Sequence, residues 1–220
     1  TTFDPDNEVD RAVLEAYKPL GVVPGNTYEP DAAAAIDDAK FRQAAESVWK
    51  EEMAKVGVPE WDEHYMQAMF QPKGRISQEV LLYQSVLGPI GLPASEAVYP
   101  PIATADGEPM NAMHDYVIRM TPDEMPPAGA FWSVTLYDTE NGFFIPNDHK
   151  KYSFGENAGM ELDDDGGIEI YIAAEQPPGV PEENWLPINR EDLEIGPILR
   201  IYEPDFERLE TWTIPRAEKL

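Results

Sequence analysis

Residues 131–138 read FWSVTLYD, and their alternation decides what kind of fold this chain adopts. Side chains of a β-strand point to opposite faces with a period of two. Trp132, Val134 and Leu136 therefore share one face, and Ser133, Thr135 and Tyr137 share the other. The same period recurs in IEIYIAA (168–174), which sets Ile168, Ile170 and Ile172 against Glu169 and Tyr171. HDYVIRM (114–120) and PILRIYEP (197–204) read as two further strands. Turn signals separate them: ADGEP at 105–109, ENG at 140–142, DDDGG at 163–167 and QPPGVP at 176–181. Short strands at this spacing predict an antiparallel, jelly-roll-like β-sandwich over residues 100–220.

Before residue 100 the period is that of a helix. Asp31, after Pro30, fits an N-cap, with Asp37 and Asp38 near the positive end of the helix dipole. Phe41, Ala45, Val48, Trp49, Met53 and Val56 then recur at three and four residues and predict one buried face, stopped by Gly57 and Pro59. Shorter helices are predicted over 9–18 and 76–87, the second ended by Gly88-Pro89. The expected class is thus mainly β with a helical N-terminal part (α+β). About three helices within residues 1–99 would pack on the sandwich as one unit.

Composition narrows the function classes. With 220 residues and 42% hydrophobic content the chain can bury a core. No stretch approaches the roughly 20 apolar residues of a membrane span. The start, TTFDPDNEVD, has neither the basic nor the apolar region of a signal peptide, and both a cytoplasmic and a secreted or periplasmic location stay open. The net charge of −26 repels phosphate backbones, which argues against nucleic acid and anionic membrane surfaces as partners. A small-molecule ligand and a homo-oligomer stay open. Absence of cysteine excludes disulfides, thiolate metal sites and a cysteine nucleophile.

Few motifs carry chemistry. ELDDDGGIEI (161–170) begins like a calcium loop, but the glutamate needed at its twelfth position is Ile172, and strand alternation already starts at Ile168. A solvated turn fits better. His64, His114 and His149 form no pair at metal-ligand spacing, and His149 in NDHKK is a conceivable general base. The nucleophile elbow, phosphate loop and dinucleotide fingerprint are all absent from the sequence. No catalytic residue, metal or cofactor is therefore assigned. Aromatic residues crowd the strand half, mostly as core. A concave aromatic face with polar handles would make a ligand cleft. The candidate ligand-binding residues are Trp132, Tyr137, Asn147, His149, Tyr152, Asn184, Trp185 and Arg200. Arg200 lies between Leu199 and Ile201, and a strand-interior arginine in so acidic a chain is expected to have a carboxylate partner or an anionic ligand, the favoured expectation being a paired, partly buried guanidinium lining the cleft.

Several ordered motifs together resemble the domain of unknown function 1214 family. They are LGVVPGNTYEPD (20–31), SEAVYPPIATADGEPM (95–110), FWSVTLYD, NDHKKYSFG (147–155), DGGIEIYIAAEQPPGVPEENWLP (165–187), PILRIYEP and TWTIP (211–215). The resemblance covers about residues 18–215 and implies a bacterial protein with a jelly-roll-like sandwich, helices attached and no established reaction. Members often follow a domain of unknown function 1254, so the chain resembles either a single-domain version or the C-terminal part of a longer protein. Relatives often carry a neutral Asn-Pro stretch where this chain has Asn147-Asp148-His149-Lys150-Lys151-Tyr152, so the resemblance does not support His149 as a catalytic residue of the family. The expected function is a small-ligand binding module, with a carbohydrate as one candidate ligand. A hydrolase using dispersed carboxylates and a histidine is the first alternative, and an assembly or interaction domain the second.

Overall fold

The computed structural model describes residues 6, 8–27, 37–55, 68–71, 75–88 and 91–220. The chain divides into two units, Thr1–Gly91 and Leu92–Leu220.

Among the described residues of the first unit, the helices of ten or more residues are α1 (Glu8–Tyr17), α2 (Asp38–Met53) and α3 (Gln78–Leu87). Asp37 caps α2 by accepting from the amides of Ala39 and Lys40, both at 3.1 Å. These are two of the amides that a helix start leaves without partners. Ser77 caps α3 through the Val80 amide at 3.2 Å, and Gly88 closes its end. Met69, Val80 and Tyr83 form a small buried cluster. The expected cap at Asp31, and the stop signals at Gly57 and Pro59, lie outside the described residues. The expected buried face of α2 needs correction: Phe41 and Trp49 are 57% and 49% exposed, whereas Glu52 is buried. Helical periodicity reports which residues share a face, not whether that face is covered.

The second unit holds eight strands in two sheets. They are β1 (Ala97–Val98), β2 (Tyr116–Met120), β3 (Ala128–Asp138), β4 (Ser153–Gly155), β5 (Ile168–Ala173), β6 (Trp185–Pro187), β7 (Ile195–Pro204) and β8 (Ala217–Lys219). One sheet runs β1-β7-β3-β4 and the other β6-β5-β2-β8. Both face a shared core, as the alternation predicts. Trp132, Val134, Leu136, Leu199 and Ile201 come from the first sheet, and Ile118, Ile168, Ile170 and Ile172 from the second. The arrangement is that of a β-sandwich. It is not wholly antiparallel, because β5 and β6 run parallel.

The β3–β7 ladder is the longest, and it places Trp132 opposite Ile201, Ser133 opposite Arg200 and Phe131 opposite Tyr202. Its register shifts between Ala128 and Phe131 in a bulge. Across the other edge of β3, Ser133 faces Gly155 and Thr135 faces Ser153. A side chain at Gly155 would meet the Ser133 Cβ and the Trp132 carbonyl, both at 2.8 Å, so this glycine is what lets β4 close on β3. The DDDGG segment is a turn: Gly166 takes a positive φ of 86°, and Asp163 and Gly167 close it with a 2.8 Å backbone bond.

Candidate functional site

Strand alternation builds the site. With Trp132, Val134 and Leu136 committed to the core, Phe131, Ser133 and Thr135 must emerge on the opposite face of the sheet. Arg200 and Tyr202 of β7 and Ser153 of β4 emerge beside them, because the register sets those strands on either side of β3. Together they floor a cleft of about 550 Å³, within the usual range for small-ligand sites. Phe131 stacks on Tyr202 with ring centroids 4.2 Å apart.

The β3–β4 connection supplies one wall. Asp138 starts it by accepting from the Glu140 amide at 2.8 Å and the Asn141 side chain at 2.7 Å, and Gly142 turns the chain with φ of 71°. The Asn141 side-chain bond is the main reason the Asp138 carboxyl is held below its ordinary value. Phe144 then bridges back to Tyr137, lies 5.4 Å from its ring and stacks on Tyr152 at 5.3 Å. Buried Ile145 pins the loop to the core.

Asn147 braces the turn that follows. Its amide donates to the carbonyls of Ile145 at 3.2 Å and Lys151 at 2.9 Å, and its oxygen accepts from the Lys151 amide at 3.2 Å. Inside that brace Lys150 adopts a φ of 53°, unusual for a residue other than glycine. Lys150, Lys151 and Asn157 complete the cleft wall. The Lys151 ammonium donates to the carbonyls of Glu182 and Glu183. Burial lowers its pKa, opposed by the nearby charges of Glu182 and Glu183.

Of the residues expected to bind ligand, Tyr152 and Arg200 line the cleft. Tyr137 accepts a hydrogen bond from the Arg200 guanidinium, whose carbon sits 5.5 Å from the tyrosine ring centre. The partner expected for Arg200 was a carboxylate; the one found is this hydroxyl. A half-buried guanidinium keeps part of its hydration, so it can stand without a counter-ion. Trp132 is buried in the core against Phe154. Trp185 is buried and donates to the Ala173 carbonyl at 2.9 Å. Asn184, also buried, ties down the Glu161 backbone with bonds of 2.9 and 2.7 Å. The exposed His149 ring sits edge-on to Trp185 at 4.7 Å, apart from the cleft lining. His114 is exposed ahead of β2, and His64 lies outside the described residues.

Sequence reasoning missed Phe131, Ser133, Thr135, Phe144, Lys150, Lys151, Ser153, Asn157 and Tyr202 as lining residues. The outward face of β3 was readable from its alternation, but which strand lay beside it was not. Among the described residues no group of three or more acidic or histidine side chains is placed to hold a metal ion. None of the described helices is long and apolar enough to cross a membrane.

The family described as "Protein of unknown function (DUF1214)" matches residues 96–206. The crystal structure of the VPA0106 protein from Vibrio parahaemolyticus aligns with a TM-score of 0.57 at 24% identity, over 96% of this chain and 51% of that one. The chain thus spans about half the length of that bacterial relative, and the likeness concerns the fold alone. An uncharacterised protein from Burkholderia cenocepacia aligns over 62% of this chain and 33% of its own, at 18% identity and a TM-score of 0.41. No curated protein matches the chain.

Proposed function

The chain belongs to the family described as protein of unknown function (DUF1214), a description that names no activity, and we propose from the site itself that residues 92–220 form a small-ligand binding module. The observation that carries this reading is the cleft on the outer face of β3, β4 and β7, bounded by the Phe131–Tyr202 and Phe144–Tyr152 stacks. Aromatic faces hold the apolar side of a planar or sugar ring. The Ser133, Thr135 and Ser153 hydroxyls and the Asn157 amide offer hydrogen bonds to ring substituents. Ligand sites of this size combine apolar walls with a few polar groups in the same way.

The lining favours binding over hydrolysis. It contains no carboxylate and no histidine, so the paired carboxylates that glycoside hydrolysis uses do not face the cleft. Calorimetric titration with neutral monosaccharides and small aromatic metabolites tests the reading, using wild-type protein and the variants Tyr202→Ala and Phe144→Ala. Saturable binding weakened in both variants, with the β-sheet circular dichroism unchanged, is expected. No binding across the panel, or binding indifferent to both variants, would overturn it.

A further inference from the structure

Resting on that reading of the cleft, the charge of its lining points to a ligand class: we propose that the site takes a ring-bearing monoanion, its carboxylate held by Arg200 and Lys150 and its ring laid against the aromatic stacks. The whole sequence carries 42 acidic and 16 basic residues, yet the cleft lining holds three of the basic residues and none of the acidic ones. In a chain so rich in carboxylates, their exclusion from one concave surface is the feature that needs a cause.

The three cations are not equivalent. Lys151 is spent on the Glu182 and Glu183 carbonyls and serves as a strut. Arg200 gives one N–H to Tyr137, which fixes the guanidinium plane and leaves further donors of its five free. No ion pair forms on Arg200 or Lys150 among the described residues. Lys150 is exposed at the rim, presented by a backbone in the left-handed region that the Asn147 brace maintains. Residues held in such sparsely populated conformations are common at ligand clamps. A fixed guanidinium with a free edge suits a carboxylate, and an ammonium beside it adds a mobile second contact.

One negative charge fits better than two. The net charge of −26 raises the cost of bringing any anion to the surface, and a dianion meets that field twice. Two classes share the ring-plus-carboxylate chemistry, acidic sugars and aromatic acids, and they part on the hydroxyls. Ser133, Thr135, Ser153 and Asn157 offer partners to a polyhydroxylated ring, which a benzoate-like ring leaves unused.

Calorimetry on the full chain compares glucuronate with glucose, benzoate with benzyl alcohol, and phenyl phosphate with benzoate. Each acid should bind about tenfold more tightly than its neutral counterpart, the effect of one part-exposed charge-assisted contact. Arg200→Gln should remove that preference by weakening the acid more than its neutral counterpart, and Lys150→Gln, at the exposed rim, should reduce it. Glucuronate binding more tightly than benzoate would assign the acidic-sugar class, and the reverse order the aromatic-acid class. Equal binding of acid and neutral partner, with both lost in Tyr202→Ala, would overturn this inference while leaving the binding-module reading intact. Preference for phenyl phosphate over benzoate would overturn the monoanion assignment. Absence of all binding would remove both readings.

Discussion

Arg200→Leu separates two accounts of the same side chain. Were the guanidinium buried against a carboxylate, removing it would orphan a charge and cost about 3–5 kcal/mol. The structure instead gives it the Tyr137 hydroxyl, a position over the Tyr137 ring and partial exposure on the outer face of the sheet. A hydrogen bond from a charged donor contributes about 1.5–3 kcal/mol when well shielded. Water competes at a half-buried site, so about 1 kcal/mol is the better figure. The ring contact adds about 0.5 kcal/mol at this exposure. Leucine is well tolerated in a strand and keeps some contact with the neighbouring rings, which offsets part of the loss. The expected net destabilisation is about 1 kcal/mol. Urea unfolding followed by circular dichroism measures it as a shift in midpoint at unchanged slope. A double-mutant cycle with Tyr137→Phe should return most of that energy as coupling. A loss above about 3 kcal/mol would mean that a carboxylate pairs with Arg200 after all, and a vanishing coupling would mean that the tyrosine contact does not form.

Other perturbations probe the frame around the cleft. Leu199→Ala removes a fully buried side chain between the sheets and should cost about 2–5 kcal/mol by chemical denaturation. Gly155→Ala places a methyl 2.8 Å from the Ser133 Cβ and should cost about 1–3 kcal/mol, splaying β4 from β3 and weakening ligand binding together with stability. On the far sheet the Glu169 carboxyl is held below its ordinary value of 4.5, chiefly by the Tyr171 hydroxyl and then by Arg119 at 2.7 Å. Its stabilisation is complete above that value and is lost as pH falls through the lowered folded value, because only the ionised form gains from these partners. Glu169→Gln should therefore lower the melting temperature at pH 7, with the difference from wild type fading below pH 4.5; a pH-independent difference would refute this. Finally, a net charge of −26 predicts a melting midpoint that rises from low to moderate salt as self-repulsion is screened, and a flat or falling midpoint would refute it.

Sequence period carried the strand half of the fold well. Alternation in FWSVTLYD and PILRIYEP assigned Trp132, Val134, Leu136, Leu199 and Ile201 to one face each, and all five are buried. What period cannot carry is pairing. Ser133 and Arg200 are 67 positions apart in sequence, and only the β3–β7 register brings them face to face. The lining of the cleft was hidden for that reason, even though each of its strand residues already stood on a readable outward face. Aromatic and amide side chains were ambiguous in a different way. Trp185 and Asn184 look like ligand contacts in sequence, and in the fold both are buried and donate to backbone carbonyls. Helix α2 shows the converse: its apolar stripe is regular in sequence, and Phe41 and Trp49 are nonetheless exposed. The NDHK knot after FWSVTLYD resolves into an asparagine-braced turn whose product is the placement of Lys150 and Lys151, while His149 rests on Trp185.

Amide chemical-shift mapping reads the proposed ligand site on the outer face of β3, β4 and β7 residue by residue. Isotope-labelled protein would be titrated with glucuronate and benzoate while the backbone amides are followed. Saturable shifts are expected at Ser133, Thr135, Lys150, Ser153, Arg200 and Tyr202, with the core amides of β2 and β5 unmoved. Shifts clustered on any other surface, or none at these residues at saturating ligand, would contradict the proposed site.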